Sequence, residues 1–198
     1  MQENSRPARW IKNIADIAVI VLIVVAAKAA IAEPFYVPSG SMEPTLLIGD
    51  ELLATKFPYG YSAASLPAFL TLPSTSRVFA TLPKRGDVVV FRWPGDRSQV
   101  WVKRVIGLPG DHIAVHHGRV SIDGTPVAVS RAGEGQVEVE DGGAHGHATV
   151  GGVGMLPVEN LVGRVDAVVG SWDLTIRNRP LSEWPSGLRL SRFFTAVR

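Results

Sequence analysis

The amino-acid sequence predicts a mainly β protein, an antiparallel β-sheet domain built of hairpins and preceded by one N-terminal transmembrane helix. From Glu33 onward, short β-branched runs alternate with turn residues, and no long 3.6-residue period appears. The 198 residues include 20 Gly and 14 Pro, an excess that favours turns and strands over a helical bundle. One apolar run precedes Glu33, which accounts for the single predicted helix.

Residues 14–32 read IADIAVIVLIVVAAKAAIA, which as a helix would span about 28 Å, close to the ~30 Å hydrocarbon core of a bilayer. Three basic residues precede this run: Arg6, Arg9 and Lys12. Their charge places residues 1–13 on the cytoplasmic side and the rest of the chain outside. The alternative is a cleaved signal peptide that ends in the small residues of Ala30-Ile31-Ala32. Both interpretations export the remaining chain.

The body of the chain is expected to form one extracytoplasmic domain over residues 33–172, followed by a basic C-terminal tail over residues 173–198. Its predicted strands are residues 51–56, 87–92, 100–107, 112–117, 119–122, 125–129, 136–140 and 161–169. Asp123-Gly124 is a hairpin turn signal, and His117-Gly118 is a second candidate. Residues 57–83 and 131–154 are expected as loops. The tail is interpreted as solvated or as lying on an anionic membrane surface.

Composition excludes several kinds of chemistry. The chain has no Cys, which excludes disulfides, Cys-ligated zinc, iron–sulfur clusters and a thiol nucleophile. A net charge of +2 gives no reason to expect nucleic acid as a partner. His145 and His147 near Asp141 are a candidate metal site, but short His pairs in Gly-rich loops usually bind nothing. No metal or cofactor is therefore expected.

A candidate nucleophile lies just after the apolar run, in residues 38–45, which read PSGSMEPT. Pro38 and Pro44 stiffen this segment, and Gly40 permits a sharp turn beside Ser41. A serine on a rigid turn can present both its hydroxyl and its own N–H to a substrate carbonyl. On composition alone, an ordinary Ser/Pro/Gly linker is the better interpretation.

A serine nucleophile needs a base, and Lys103 is the candidate. None of the five His lies in a stretch typical of a catalytic motif. Lys103 lies in a mostly apolar predicted strand on which Trp101 and Val105 share its face. Keeping a lysine neutral at pH 7 costs roughly 4.6 kcal/mol, and desolvation can lower its pKa by that order. The alternative is a lysine on the wet face of an edge strand.

Three segments together resemble bacterial type I signal peptidase: PSGSMEPTL at 38–46, RGDVVVF at 85–91 and KRVIGLPGD at 103–111. They follow the family's order, and the resemblance covers most of residues 33 to about 169. It implies a serine endopeptidase of the bacterial inner membrane, with a retained N-terminal anchor and a β-rich domain outside. It further implies cleavage of signal peptides from exported preproteins after Ala-X-Ala, without a cofactor. The implied partners are signal peptides and membrane lipid.

The resemblance also implies roles for individual residues. Ser41 matches the nucleophile and Lys103 the general base, while the Ser41 N–H and the Ser39 hydroxyl match the oxyanion hole. Phe91 and Trp101 match residues that shield the lysine. Other positions match the apolar walls of two shallow substrate pockets: Phe35, Val37, Pro38, Met42, Leu46, Leu52, Val90 and Val102.

One family block is absent from the chain, of the form GDNRDNSxDSR, whose first serine hydrogen-bonds the catalytic lysine. No serine lies between Ser130 and Ser171, and Thr149 is the only hydroxyl in that interval. This departure motivates an alternative function, a catalytically impaired homologue that acts as a peptide-binding module. A Ser–Lys peptidase of narrow specificity, such as a pilin-maturing enzyme, is a further alternative.

Overall fold

The computed structural model describes residues 6–66, 77–116, 119–127, 147–150, 154–178 and 180–197. The elements used below are the helix α1 (Arg6–Ala30) and the strands β1 (Ala32–Tyr36), β2 (Asp50–Thr55), β3 (Tyr61–Ser62), β4 (Arg77–Val78), β5 (Val88–Arg92), β6 (Val100–Gly107), β7 (Ile113–His116), β8 (Arg119–Ile122), β9 (Thr125–Pro126), β10 (His147–Val150), β11 (Gly154–Pro157), β12 (Leu161–Ser171) and β13 (Thr195–Ala196). Short 3-10 helices cover Phe57–Tyr59, Val158–Asn160, Leu174–Asn178, Leu181–Gly187 and Leu190–Arg192.

The strands form antiparallel sheets, which confirms the mainly β, antiparallel part of the predicted fold class. The main sheet has the order β1-β2-β12-β5-β6-β10-β11, and β13 pairs with β12. A smaller sheet contains β7, β8 and β9, and a two-stranded sheet contains β3 and β4. Because β13 pairs with the long β12, the C-terminal segment contributes to the same sheet as the body of the chain.

Most of the predicted strands occur at or within two residues of their predicted positions. β6 and β8 have the predicted bounds. β5 and β12 differ from prediction by one or two residues at one end, and β2 is shifted by one residue at both ends. The turn between β8 and β9 has positive φ at both Asp123 (50°) and Gly124 (77°), as a two-residue hairpin turn requires. Predicted strand 136–140 and the candidate ligands Asp141 and His145 lie outside the described residues.

The N-terminal helix α1 begins before the predicted anchor and ends at Ala30, so Ala32 already belongs to β1. Large apolar side chains along it, from Trp10 to Val24, are between 48% and 66% exposed. Within the described ranges, no helix combines the length and the apolar character needed to span a membrane. The transmembrane anchor over residues 14–32 remains a prediction.

The pairing of β5 with β6 determines which side chains share a face of the sheet. Val90 lies opposite Val102, whereas Val89 lies opposite Lys103 and Phe91 opposite Trp101. Since side chains alternate along a strand, Lys103 lies on the face that carries Val89 and not on the face that carries Val90. Each face has its own core. The first contains Val37, Leu46, Leu52, Ala54, Ala64, Val88, Val90, Val162, Val165 and Val168, and the second contains Tyr59, Val89, Phe91, Val105, Leu156 and Leu161.

Candidate active site

Ser41 lies in the segment that joins β1 to β2, residues 37–49, here called the Ser41 loop. Two backbone hydrogen bonds close its base. The Val37 N–H donates to the Asp50 carbonyl at 2.9 Å, and the Gly49 N–H donates to the Val37 carbonyl at 3.0 Å. The apolar Leu46 is fully buried in the first core. The loop is therefore fixed at its base and at Leu46, while Ser41 is exposed.

Two tight turns shape the part of the loop around Ser41. The Glu43 N–H donates to the Gly40 carbonyl at 3.0 Å, and the Leu46 N–H donates to the Met42 carbonyl at 2.9 Å. The Glu43 side chain folds back over Gly40, where a Cβ would lie 3.0 Å from the Glu43 Oε1 atom. Glycine thus permits the close approach of the Glu43 side chain at this position.

The structure brings Ser41 and Lys103 together although 62 residues separate them. The Lys103 Nζ atom donates a hydrogen bond to the Ser41 Oγ atom at 2.8 Å. Lys103 is half-buried, and it forms no ion pair with the described residues. Burial lowers the pKa of the Lys103 amine below its ordinary value, because desolvation disfavours the charged form. A lowered amine pKa and a hydrogen bond to a hydroxyl are the two properties that a lysine base requires.

Aromatic side chains cover the lysine on one side. The Nζ atom lies 5.8 Å from the centroid of the Trp101 ring, and Trp101 stacks on Trp93 at a centroid distance of 4.6 Å. Phe91, the other predicted shielding residue, is fully buried beside Trp101 in the second core. The residue directly opposite Lys103 in the sheet is Val89. Val89 and Trp93 were not predicted from the sequence. Val89 is two residues before Phe91 on the same strand, so it shares the face of Phe91.

A cavity of about 370 Å³ opens beside the Ser41–Lys103 pair. Its lining residues are Phe35, Tyr36, Val37, Pro38, Ser39, Ser41, Met42, Leu46, Val100, Trp101, Val102 and Lys103. Most of the predicted substrate-binding residues are among them. Tyr36 and Val100 line the cavity as well, and the sequence analysis did not identify them.

Two predicted substrate-binding residues are not among those that line the cavity. Leu52 and Val90 are fully buried and belong to the first core together with Val37 and Leu46. They lie in the core that supports the cavity wall, since Val37 and Leu46 reach the cavity from that same core. All four positions are apolar, so the sequence pattern alone does not show which of them line the cavity and which lie behind its wall. The structure shows this.

Two hydrogen-bond donors beside the cavity have no partner among the described residues. They are the Ser39 hydroxyl and the backbone N–H of Ser41, and both residues line the cavity. Unpaired donors on an exposed turn are available to an oxygen atom of a bound molecule.

The register of β10 separates Thr149 from the lysine. Thr149 pairs with Gly107 and Val150 with Val105. Gly107 is four residues beyond Lys103 on β6, a distance of about 13 Å along a strand. The backbone of Thr149 therefore lies four residues along β6 from that of Lys103.

Comparison with known proteins agrees with the geometry. The family model "Signal peptidase, peptidase S26" matches residues 8–152. Signal peptidase I of Rickettsia typhi is 44% identical over 114 residues, which are 57% of this chain and 43% of that protein. Signal peptidase I of Rickettsia canadensis is 46% identical over 111 residues, 56% of this chain and 41% of that protein. That of Rickettsia rickettsii is 48% identical over 97 residues, 48% of this chain and 36% of that protein.

The aligned part of the chain thus spans about two fifths of the length of the curated relatives it matches. The family model, in contrast, covers most of the chain, including Ser41, Lys103 and every lining residue of the cavity between them. The protein therefore belongs to the signal peptidase family, peptidase S26.

Proposed function

We propose that this protein is a serine endopeptidase that removes signal peptides, with Ser41 as nucleophile and Lys103 as general base. The observation that carries the proposal is the 2.8 Å contact between Lys103 Nζ and Ser41 Oγ at the edge of the cavity. The similarity to proteins named signal peptidase I supports the substrate class.

The neutral amine of Lys103 takes the proton of Ser41 as the Oγ atom attacks the scissile carbonyl carbon. The resulting tetrahedral oxyanion accepts hydrogen bonds from the Ser41 N–H and the Ser39 hydroxyl, each worth a few kcal/mol in the transition state. The protonated lysine then returns its proton to the leaving amine, and the peptide bond breaks. Water hydrolyses the acyl-enzyme with Lys103 acting again as base.

An extended peptide fits the cavity best. Among the described residues, β1 pairs with β2 on one side and has no strand partner on the other. β6 pairs with β10 at Val105 and Gly107, and that pairing does not include its first half, Val100–Val102, which lines the cavity opposite β1. A substrate strand between β1 and β6 would bring its carbonyl to Ser41 through main-chain hydrogen bonds. Apolar walls of limited volume favour small side chains next to the scissile bond.

We place the protein in the bacterial inner membrane, with α1 as its anchor and the β domain outside. The support is the apolar sequence of residues 14–32, the exposed apolar side chains of α1 and the basic residues that precede them. A membrane location is also consistent with the proposed substrate, because a signal peptide contains an apolar segment. The lipid surface and the signal peptide are therefore the proposed partners.

The decisive experiment uses the full chain in detergent micelles with a preprotein that carries an Ala-X-Ala site. We expect cleavage after the second alanine, detected by mass spectrometry of both products. Ser41→Ala and Lys103→Ala should each reduce cleavage at least 10³-fold. Lys84→Ala is the matched control, because Lys84 is an exposed lysine outside the cavity. Cleavage that persists at the wild-type rate in Ser41→Ala would refute the mechanism.

A peptide-binding module without catalysis is the second candidate function. The observation that favours it is the environment of the Lys103 side chain, whose hydrogen bond to Ser41 is its only one among the described residues. The family's lysine-bracing serine has no counterpart in the sequence. A wild-type protein that binds a signal peptide and leaves it intact would support this function.

A further inference from the structure

A buried carboxylate lies at the base of the Ser41 loop. Asp50 is fully buried at the start of β2. Its carboxylate accepts hydrogen bonds from the Leu47 N–H at 2.8 Å and the Ser171 hydroxyl at 2.6 Å. Burial raises the pKa of Asp50, but the hydrogen bonds from Arg192, Ser171 and Leu47 outweigh it and lower that pKa below its ordinary value. Asp50 is therefore ionised at neutral pH.

The cation that pairs with Asp50 comes from the other end of the chain. Arg192 donates from Nη2 to Asp50 Oδ2 at 2.6 Å and from Nε to Asp50 Oδ1 at 3.1 Å. The same Nη2 atom donates to the Thr45 carbonyl at 3.0 Å. One guanidinium thus contacts the loop at its base and again four residues after Ser41. The planar guanidinium carries several N–H donors and can contact the Asp50 carboxylate and the Thr45 carbonyl at the same time. A lysine has a single ammonium group and cannot reproduce the forked contact.

Two further arginines hold the same stretch of the loop. Arg189 donates to the Ile48 carbonyl at 2.9 Å. Arg104, the residue after Lys103 on β6, donates to the Thr45 hydroxyl at 3.2 Å. The loop is thereby connected both to the C-terminal segment and to the strand that carries the lysine.

The C-terminal segment that carries Arg192 is itself fixed to the main sheet. Trp172 and Leu188 form an antiparallel bridge, and β13 pairs with β12 at Thr195 and Ala196. These contacts lie on either side of Arg192. The arginine consequently reaches the loop from a supported backbone and not from a freely moving tail.

We propose that Arg192 is a positioning residue that, through buried Asp50 and the Thr45 carbonyl, fixes the conformation of the Ser41 loop. The catalytic part of this inference rests on the proposed function. Ser41 is exposed, and its only side-chain partner among the described residues is Lys103. Its position therefore depends on how rigidly the backbone of its loop is held, and a displacement of about 1 Å at a reacting atom can cost up to 10²-fold in rate.

The first test compares Arg192→Lys with Arg177→Lys in the preprotein assay. Lysine keeps a positive charge beside Asp50, so the variant should fold, but it loses the forked contact. We expect kcat to fall about tenfold in Arg192→Lys with KM changed less than about twofold. The acid limb of the pH profile should not move, because burial lowers the pKa of Lys103 and the strand residues beside it, Val89 and Trp101, do not belong to the loop. Arg177 is exposed in the same segment, and its side chain has no hydrogen-bond or ion-pair partner among the described residues, so its variant should match wild type.

The second test measures amide hydrogen exchange of the same variants without any substrate. The Glu43 and Leu46 amides, which form the turns around Ser41, should exchange at least about tenfold faster in Arg192→Lys. The amides of β5 should be unchanged. The double variant Asp50→Asn with Arg192→Gln, which leaves no buried charge unpaired, should show the same local effect.

The two tests separate this inference from the proposed function. Unchanged exchange at Glu43 and Leu46 in both altered proteins would overturn the inference whether or not the wild type is active. Faster exchange with wild-type kcat would overturn the positioning role. A wild type that cleaves no signal peptide would refute the proposed function, and the exchange comparison would still decide whether Arg192 fixes the loop.

Discussion

Removing the Trp101 ring should shift the pH dependence of the reaction to higher pH. The Lys103 Nζ atom lies over this ring at 5.8 Å from its centroid, and burial is what lowers the pKa of this amine. In Trp101→Ala, water reaches the amine and its charged form is stabilised, so the pKa rises toward the ordinary value. Fewer molecules then carry the neutral base at pH 7.

Two contributions of opposite sign determine the size of this shift. Loss of the cation–π contact destabilises the charged amine by about 0.5 kcal/mol at this distance, which alone would lower the pKa slightly. Regained hydration has the opposite sign and is the larger of the two, because desolvation is the cause of the wild-type shift. With 1.4 kcal/mol corresponding to a tenfold change, we expect a three- to tenfold loss of kcat/KM at pH 7, on the order of 1 kcal/mol.

The assay is kcat/KM for preprotein cleavage measured against pH, since its acid limb reports the base in the free enzyme. Activity lost at pH 7 should return as the pH is raised, which a merely damaged cavity wall would not permit. Trp184→Ala is the matched control, because Trp184 lines a separate cavity near the C-terminus. A limb that stays in place or moves to lower pH in Trp101→Ala would refute burial as the cause of the lowered pKa.

Three predictions concern stability. Arg77 donates five hydrogen bonds around residues 59–62 and 158–161, and burial lowers its pKa only to about 10, so Arg77→Ala should cost more than about 3 kcal/mol in denaturant unfolding. Gly49 has a φ of +92°, and a Cβ there would lie 1.9 Å from the Trp172 carbonyl oxygen. Gly49→Ala should therefore lower the Tm by several degrees, and an unchanged Tm would contradict this close approach. The folded-state pKa of Asp50 is lowered, so its stabilisation is present above about pH 4 and is lost as pH falls further. The Tm difference between wild type and Asp50→Asn should accordingly narrow between about pH 6 and pH 3, and a constant difference would contradict it.

Local patterns predicted the central strands because their signals are local. β6 is a mostly apolar run rich in β-branched valine and isoleucine, and the Asp123-Gly124 turn tolerates the positive φ that its hairpin needs. β1 was missed for an equally physical reason. Its sequence AEPFY begins at the last residue of the apolar run and contains Pro34. Proline lacks the backbone N–H that a strand inside a sheet donates, so this sequence does not indicate a strand. Pro34 is compatible here because β1 pairs only with β2 among the described strands, and an edge strand tolerates a missing N–H.

In the candidate site, too, the features with local sequence signals were predicted and the long-range contacts were not. Ser41 and Lys103 were predicted from short segments, but the 2.8 Å contact between them depends on the sheet that brings β6 beside the Ser41 loop. No short-range pattern indicated that Arg192 would pair with Asp50, 142 residues away. Because arginine is usually exposed, a basic C-terminal segment is predicted to be solvated. The buried partner of Arg192, Asp50, is identified only in the folded structure.

The support of the Ser41–Lys103 pair is therefore unevenly distributed between its two members. Lys103 is held by its strand, by Val89 opposite it and by the Trp101 ring, with one hydrogen bond to Ser41 among the described residues. The Ser41 loop is held instead by polar contacts from Arg104, Arg189 and Arg192. Apolar packing excludes water from an amine but does not orient its lone pair, whereas hydrogen bonds fix direction. The orientation of Ser41 relative to Lys103 is thus fixed mainly by the loop that carries the nucleophile. Polar substitutions around that loop should therefore lower kcat, whereas apolar substitutions around the lysine should mainly change its pKa.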